Sequence, residues 1–273
     1  MTPYFRSVLL LCMCLLTSVS LFAQLPNNYT TQQEDLPCLN KRFSLRVHIA
    51  EDTGGPITFD TAAFRAMVNY TNTFFEPICV SFEACEFLTV ENYRYASHER
   101  RDTSEQIALY GDPNRIDVYI PVMDSLIYIC GRASLNGIQR NPSAFVMVRN
   151  TATCIAPTSG TLAHELGHYF GLLHTFDTRN GAELADGSNC ETAGDGICDT
   201  PADPFIEGTD SGDWTDDMDP CRFDFRGVDA NGAFYTPHTA NVMSFYEGCL
   251  CGFTFDQLTL MAKNCVEGGD RVW

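Results

Sequence analysis

Apolar and polar residues alternate from Phe43 to Ile49. This period of two is typical of a half-buried β-strand, because successive side chains of a strand point to opposite faces of its sheet. Similar apolar patterns predict further strands at residues 78–82, 116–120 and 144–148. The chain therefore has four predicted strands before residue 150.

Apolar residues at helical spacing predict three helices. Asp60 is a typical N-cap residue, and the helix that follows it is expected to stop before Pro77. A second helix is predicted to begin at residue 159 or 161. A Thr-x-x-Gln capping box at Thr254 starts a third, which is expected to end near residue 264.

The order of these elements predicts an α+β fold with a mixed sheet backed by helices. From Asp177 to Pro237 the composition changes, and Gly, Asp, Asn, Pro and Cys dominate. Such a long stretch without regular structure is expected to be held by disulfides or bound ions. Because no linker, repeat or low-complexity tract interrupts the chain, we predict one domain.

The N-terminus is typical of a secretory signal peptide. Residues 1–23 contain Arg6, then an apolar run, and end with Ala23. We expect cleavage after Ala23, which leaves 24–42 as a short segment that could act as a pro-segment. No later stretch approaches the 18 apolar residues of a membrane helix. The mature protein is therefore predicted to be secreted, without membrane insertion.

The chain is strongly acidic, with 17 Lys and Arg against 35 Asp and Glu and a net charge of −18. This charge argues against nucleic acid and anionic membranes as partners. It fits solubility, bound cations or attraction to basic peptides, but it does not identify a substrate. A monomer is the expected oligomeric state.

The residues from His164 to His174 read HELGHYFGLLH and carry the strongest chemical signal. His164 and His168 are four residues apart, so on a helix both rings project from one face and can bind one tetrahedral ion. Gly171 can adopt the left-handed conformation that ends a helix, which would bring His174 back as third ligand. Glu165 lies beside the metal rather than on it. The pattern predicts a catalytic zinc site with water in the fourth position.

The chemistry expected of this site is hydrolysis. Zinc with three neutral imidazole ligands lowers the pKa of its bound water from about 16 toward about 7. Glu165 would accept the proton of that water as general base and then pass it to the leaving amine. The sequence thus predicts a zinc-dependent endopeptidase.

The zinc motif resembles that of the metzincin metallopeptidases. Residues 241–245, Asn-Val-Met-Ser-Phe, resemble the Met-turn of that clan, in which a methionine, here Met243, lies beneath the zinc. Segments 174–176 and 194–201 resemble the pappalysin (cytophagalysin) family within the clan. The resemblance covers roughly residues 43–265.

This resemblance implies a cleft between two parts of a catalytic domain spanning 43–273. The upper subdomain, 43–171, would hold the sheet and the active-site helix, and the lower subdomain, 172–273, would be rich in loops and tied by disulfides. The strand at 144–148 would form the upper rim of the cleft. Protein or peptide substrates would bind there as an added strand.

The sequence departs from the family after the Met-turn. Relatives carry a tyrosine two residues after the methionine, where this chain has Phe245, followed by Tyr246. Either the turn is shifted so that the hydroxyl of Tyr246 stabilises the oxyanion, or zinc alone does so. Tyr246 could also be an ordinary packing residue.

A second metal is implied by the Gly-rich turn near residue 195. Asp195, Asp199 and Thr200 offer the hard oxygen ligands that calcium prefers. Relatives bind calcium near this stretch, so we expect a structural calcium there. A solvated acidic loop is the alternative.

The resemblance also implies two disulfides in the lower subdomain, drawn from Cys190, Cys198, Cys221 and Cys249. We expect an interleaved pairing, Cys190 with Cys221 and Cys198 with Cys249. Four cysteines allow three connectivities, and the sequence does not choose among them.

The N-terminal cysteines allow more than one arrangement. Cys79 and Cys85 could close a short loop. Cys38 could be a thiol that keeps the zinc latent, as in the propeptides of some metzincins, or an ordinary disulfide or free cysteine.

Two further functional classes compete with the endopeptidase. A metzincin-like binding module or adhesin could keep the fold with little turnover; the intact Glu165 argues against it, whereas Phe245 argues mildly for it. A zinc hydrolase of non-peptide amides is disfavoured by the predicted peptide-pairing strand.

Overall fold

The computed structural model describes residues 36–51, 54, 57–91, 100–121, 129–141, 143–209, 214–246 and 250–268. The predicted signal peptide, most of the segment 24–42 and Cys249 lie outside the described residues. Within them, no helix has the length and apolar character needed to cross a membrane.

A five-stranded mixed sheet organises the first half of the chain. Its spatial order is β2-β1-β3-β5-β4, and all neighbours pair in parallel except β4, which runs antiparallel to β5. The mixed sheet predicted from the apolar pattern is thereby confirmed. The strands are β1 (Lys41–Ala50), β2 (Val80–Val90), β3 (Ile116–Ile120), β4 (Gly131–Ala133) and β5 (Val146–Val148).

Four α-helices accompany the sheet in the described residues: α1 (Thr61–Phe75), α2 (Arg100–Tyr110), α3 (Thr161–Tyr169) and α4 (Phe255–Glu267). The predicted caps are confirmed for α1 and α4. The Asp60 carboxylate accepts the backbone N–H groups of Ala62 and Ala63, and Thr254 forms its capping box with Gln257. Helix α2 was not predicted, because its sequence is polar and has no clear apolar face.

The main core lies between the sheet, α1, α3 and α4. Its centre is an aromatic cluster in which Phe75 contacts rings from the sheet, from the end of α3 and from the segment before α4. Burial of such large rings gives most of the stability of a fold of this kind. The cluster thus fixes α3 against the sheet; its members are Phe43, Phe75, Phe82, Phe170 and Phe253.

The rim strand differs from the expectation. Residues 146–148 form β5, which pairs with β3 on one side and with β4 on the other, so it has no free edge. The expected upper rim at 144–148 is therefore wrong, and the edge position belongs to β4. Its three residues, Gly-Arg-Ala, lack the apolar alternation that reveals a strand in a sequence.

Between Gly171 and α4 the described residues are mainly loops, with one short hairpin of β6 (Thr215–Asp216) and β7 (Asp219–Phe223). Buried side chains that accept backbone N–H groups replace regular structure there. The Asp229 carboxylate, for example, accepts from Ala185, Asn231 and Ala233. The loop-rich C-terminal region predicted from composition is therefore present.

The disulfides in this region depart from the interleaved expectation. Cys190 is bonded to Cys198, eight positions away, so the expected pairs Cys190–Cys221 and Cys198–Cys249 are wrong. Cys221 is also disulfide-bonded. The tight Gly-rich turn between Cys190 and Cys198 brings their Cα atoms within 5.0 Å, which is a separation that a disulfide needs.

The N-terminal cysteines pair across the start of the sheet. Cys38 is bonded to Cys79, because the segment that leads into β1 runs beside the segment that leads into β2, with the N–H of Leu39 donating to the carbonyl oxygen of Ile78. The short Cys79–Cys85 loop is therefore wrong, since Cys85 lies six residues along an extended chain. Cys38, being in a disulfide, offers no free thiol for zinc. A third bond, Cys130–Cys154, joins the start of β4 to the loop before α3.

The end of α3 has the sharp turn that the sequence predicted. Helix α3 ends at Tyr169, and Gly171 follows with a φ of +105°, a conformation that favours glycine. Asn264 of α4 donates a hydrogen bond to the carbonyl oxygen of Phe170 at 2.7 Å. A Cβ atom at position 171 would meet this same amide. The turn is thus set both by the backbone and by α4.

Replacing Gly171 with Ala is expected to lower the free energy of unfolding. The left-handed backbone, which alanine adopts less readily than glycine, should account for about 1–2 kcal/mol. The loss should be larger than this because the new Cβ displaces Asn264. Chemical denaturation would measure the change. Gly181→Ala is the matched control, since Gly181 has a φ of +103° but a Cβ there meets nothing within 4 Å. Equal losses in the two variants would contradict a role for the Asn264 contact.

Candidate active site

Three histidine side chains converge at one point beside the edge of the sheet. His164 and His168 project from α3, and His174 returns after the turn at Gly171. The Nε2 atom of His174 lies 3.1 Å from that of His164 and 3.0 Å from that of His168. Two nitrogens bound to one tetrahedral zinc lie about 3.3 Å apart, so this spacing is close to that of a zinc site.

The outer nitrogens of two rings fix the direction of the inner ones. Nδ1 of His164 donates to the carbonyl oxygen of Val242 at 2.7 Å, and Nδ1 of His168 donates to that of Leu172 at 2.8 Å. Because a carbonyl oxygen can only accept, both Nδ1 atoms carry the proton. Each Nε2 atom therefore presents a lone pair to the common point, as a metal ligand must.

Burial keeps these rings neutral. Burial, with the neighbouring His168 second, lowers the pKa of His164 to about 3, and burial also lowers the pKa of His168 and His174. Neutral imidazoles are the form that binds zinc. In the described part of the chain, these three residues are the one group of three or more His, Cys, Asp or Glu side chains close enough together to hold a metal ion. The donor set fits zinc.

Glu165 lies next to His164 on α3 and is only 4% exposed. Its Oε2 atom has no hydrogen-bond partner among the described residues, which is unusual for a buried carboxylate. Burial raises the pKa of Glu165 well above its usual value, and the positive charge of Arg132 opposes this effect. The group is therefore an unsatisfied proton acceptor beside the metal ligands.

The edge strand β4 approaches Glu165 very closely. A Cβ atom on Gly131 would lie 2.5 Å from Oε1 of Glu165 and 2.6 Å from its Cγ atom. Real Cβ atoms do not tolerate such distances, so only glycine leaves room for the glutamate at this position. The contact sets the spacing between the sheet edge and α3.

A tight turn at residues 241–244 lies on the other side of α3. Met243 is fully buried, and its sulfur occupies the space that a side chain on Gly167 would need. Asn241 shapes the turn, because its side-chain oxygen accepts the N–H of Met243 and its amide pairs with Gln257 of α4. The turn supports the ring of His164 through the carbonyl of Val242.

Phe245 and Tyr246 point in different directions. The ring of Phe245 packs against His174 and His164, with centroids 4.6 and 5.5 Å apart. Tyr246 is buried, and its hydroxyl donates to Asp203 at 2.7 Å. Burial, with the Asp203 carboxylate second, raises the pKa of Tyr246. The phenyl ring therefore occupies the place nearest the histidines, and the hydroxyl is engaged elsewhere.

A cavity of about 680 Å³ opens beside the third histidine. One wall is aromatic, since Phe176 stacks on His174 with a centroid distance of 4.7 Å. The charged side chains of the lining are mostly acidic, and its Arg179 is paired with Asp177. Residues that line it include His174, Phe176, Arg179, Glu183, Asp203 and Phe205.

The candidate calcium residues serve two purposes in the structure. Asp195 is buried and accepts hydrogen bonds from the Thr200 hydroxyl and the N–H of Ile197. The carboxylate of Asp199 accepts instead from the Thr254 hydroxyl and the N–H of Asp256, so it anchors the start of α4. The structure therefore brings Asp195 and Thr200 together, whereas Asp199 is turned toward α4.

Comparison with known proteins adds a family and a fold. A family model described as pregnancy-associated plasma protein-A, peptidase family M43, matches residues 140–266. A model for reprolysin-like metallopeptidases of family M12B matches residues 61–175. No curated protein sequence matches the chain.

Among solved structures, the chain is similar to mature mirolysin of Tannerella forsythia in complex with a cleaved peptide. The TM-score is 0.56 at 14% sequence identity, over 85% of this chain and 98% of that one. A promirolysin mutant from the same organism gives a TM-score of 0.51 at 13% identity, over 85% and 86% of the two chains. At such low sequence identity, the structural similarity shows a shared fold and nothing more specific.

The three converging histidines and the matches to two metallopeptidase family models support a zinc metalloendopeptidase, and its fold is similar to that of the metzincin mirolysin. Residues 140–266 resemble peptidase family M43, the pappalysins. The resemblance recognised from the sequence motifs is thereby confirmed.

Sequence reasoning missed three residues that shape the site: Gly131, Glu183 and Asp203. Gly131 lies in a segment without a strand pattern. Glu183 and Asp203 are single acids in an acidic loop region, and only their contacts in the folded chain distinguish them. The sequence around each of these three residues matches no motif that would have pointed to it.

Replacing Gly131 with Ala is expected to lower kcat/KM for peptide cleavage by about 100-fold, because the new Cβ pushes Glu165 from its place and small displacements in an active site have large effects. Steady-state cleavage of a fluorogenic peptide would measure it. Gly252→Ala is the control, since a Cβ there meets nothing within 4 Å. Full activity of a folded Gly131→Ala protein would contradict the contact.

Proposed function

We propose that this chain is a secreted zinc endopeptidase in which Glu165 is the general base. The observation that carries the proposal is the buried Glu165 carboxylate, with an unpartnered oxygen, next to the three converging imidazoles. The matches to metallopeptidase families support the same chemistry.

Each residue of the site has a distinct task in this proposal. Zinc on His164, His168 and His174 would supply a Lewis acid that acidifies water and stabilises negative charge. Glu165 accepts a proton from the attacking water and later gives it to the leaving amine, for which its raised proton affinity is suited. The neutral histidines leave the positive charge on the metal.

The outer strand of the described sheet, β4, is the proposed binding edge for the peptide. An extended segment can pair with an exposed edge strand, and β4 is the edge strand nearest α3. The cleft would then separate the sheet and α3, within 43–171, from the loops of 172–273. A binding module without turnover would have no need for Glu165 in an unsatisfied, buried position.

Tyr246 has a packing role in this proposal. To reach an oxyanion, its hydroxyl would have to leave Asp203, which holds it at 2.7 Å inside an aromatic cluster. Phe245 contributes no hydroxyl. We therefore propose that zinc, without a tyrosine, stabilises the oxyanion, and that the turn carrying Met243 is the Met-turn.

Replacing Glu165 with Gln is expected to lower kcat by about 10²- to 10⁴-fold while zinc stays bound, because only the proton acceptor is lost. Mass spectrometry of a diverse peptide mixture would measure cleavage, and metal analysis would measure zinc.

Glu191→Gln removes an exposed carboxylate in the lower loops and serves as the control. A zinc chelator should abolish the cuts made by the unsubstituted protein. Unchanged cleavage by Glu165→Gln would contradict the general-base role, and no cleavage by the folded, zinc-loaded protein would favour the binding module.

We also propose a structural calcium at Asp195 and Thr200, with Glu183 as an added ligand. Burial raises the pKa of Glu183 to about 7, and burial together with the charges of Glu183 and Asp199 raises the pKa of Asp195 to about 7. Buried carboxylates in mutual repulsion gain most from a bound cation. Asp199, which is bonded to the start of α4, would not bind the ion directly but would add negative charge near it.

The calcium proposal predicts a stability that depends on pH. In the ion-free protein, the raised pKa values of Glu183 and Asp195 stabilise the fold below about pH 4, and this contribution is lost as the pH rises through about 7. Calcium should therefore raise the Tm more at about pH 8 than at about pH 5, where both groups hold protons.

Thermal unfolding with calcium and with a calcium chelator would measure this difference. Glu183→Gln should remove most of the calcium effect, whereas Glu191→Gln should leave it intact. An equal calcium effect at both pH values would contradict the site.

A further inference from the structure

We propose that Asp203 is a positioning residue that holds the third zinc ligand, His174, in place. It does so by joining the residue after His174 to the segment that follows the turn at 241–244. The inference rests on the proposed zinc site, but its test reads metal retention and does not require turnover.

His174 needs such support more than the other two ligands. His164 and His168 are one turn apart on α3, so the helix backbone fixes them relative to each other. His174 lies beyond the turn at Gly171, in a region without regular structure. The position of its ring depends on what the neighbouring residues contact.

The Asp203 carboxylate ties two segments together. Its Oδ2 atom accepts the hydroxyl of Thr175 at 2.7 Å, and its Oδ1 atom accepts the hydroxyl of Tyr246 at 2.7 Å and the N–H of Phe205 at 3.0 Å. Thr175 directly follows His174. One carboxylate thus connects the ligand segment, the segment after Met243 and its own loop.

A backbone contact joins the same two segments. The N–H of Thr175 donates to the carbonyl oxygen of Met243 at 3.2 Å. Thr175 is therefore held on two sides, through its backbone by the turn and through its side chain by Asp203. The rings of Phe176 and Phe245 pack against His174 itself, so the imidazole has little freedom while these bonds persist.

The bonds of Asp203 form where water has little access. Asp203, Thr175 and Tyr246 are each at most 9% exposed, and the rings of Phe205 and Phe223 pack against Tyr246. Removal of the carboxylate would leave two buried hydroxyl groups without their acceptor, which destabilises this arrangement. Asp203 also lines the cavity beside His174, so the bonds form part of its wall.

The same bonds account for the orientation of the two residues after the turn. The hydroxyl of Tyr246 is drawn to Asp203, and Phe245 consequently faces His174. In this chain the tyrosine therefore acts on the site through Asp203 and Thr175, without contact to the metal.

The test measures zinc release from the purified holoprotein into an excess of chelator, followed as a first-order rate. Asp203→Ala is expected to release zinc about 10- to 100-fold faster, the range typical for loss of a group that supports a metal ligand. Tyr246→Phe and Thr175→Val each remove one hydroxyl and should give smaller increases. These two variants keep the experiment informative if Asp203→Ala does not fold.

Asp229→Ala is the matched control, because Asp229 is likewise a buried loop carboxylate with three donors but has no bond to the ligand segment. It should lower the Tm and leave zinc release within about twofold of the unsubstituted rate. Wild-type release rates in the folded Asp203, Tyr246 and Thr175 variants, or equally fast release from Asp229→Ala, would overturn the proposal. Since release is measured without substrate, inactivity toward peptides would count only against the proposed function.

Discussion

The convergence of three imidazole nitrogens is the constraint on which the rest of the structure depends. Three lone pairs that face one another are unfavourable without a cation, so the surrounding chain must hold the rings in place. The His164 ring is oriented by a hydrogen bond to the carbonyl oxygen of Val242, 78 positions away, and the His168 ring by one to the carbonyl oxygen of Leu172. The site therefore forms only when α3, the turn at Gly171 and the turn at 241–244 are folded together.

The two halves of the molecule meet this constraint by different means. The first half uses repeated elements, a parallel sheet and packed helices, whose apolar faces bury an aromatic core. In the second half, hydrogen bonds to individual carboxylates replace those of helices and sheets. Asp229, Asp203 and Asp199 each accept hydrogen bonds from several donors. Much of the acidic composition of this region thus has an internal use, in addition to any effect on solubility or partners.

Periodic patterns and local motifs were the parts of the structure that sequence could predict. Helix α1 and strand β3 follow from apolar spacing, and the zinc ligands follow from the four-residue step and Gly171. What failed was long-range pairing: β4 is too short to show a period, and Cys38 finds Cys79 only because two strands start side by side. The orientation of Phe245 likewise depends on the bond between its neighbour Tyr246 and Asp203, 43 positions upstream, which no local sequence pattern predicts.

The bond between Cys38 and Cys79 also determines what proteolysis at the N-terminus can accomplish. A cut on the N-terminal side of Cys38 is not bridged by this bond. A cut between the two cysteines opens the backbone but leaves both pieces covalently joined, with β1 and α1 still attached to β2. Any trimming that separates two pieces of this part of the chain is therefore confined to residues before 38, unless a reductant acts together with the protease.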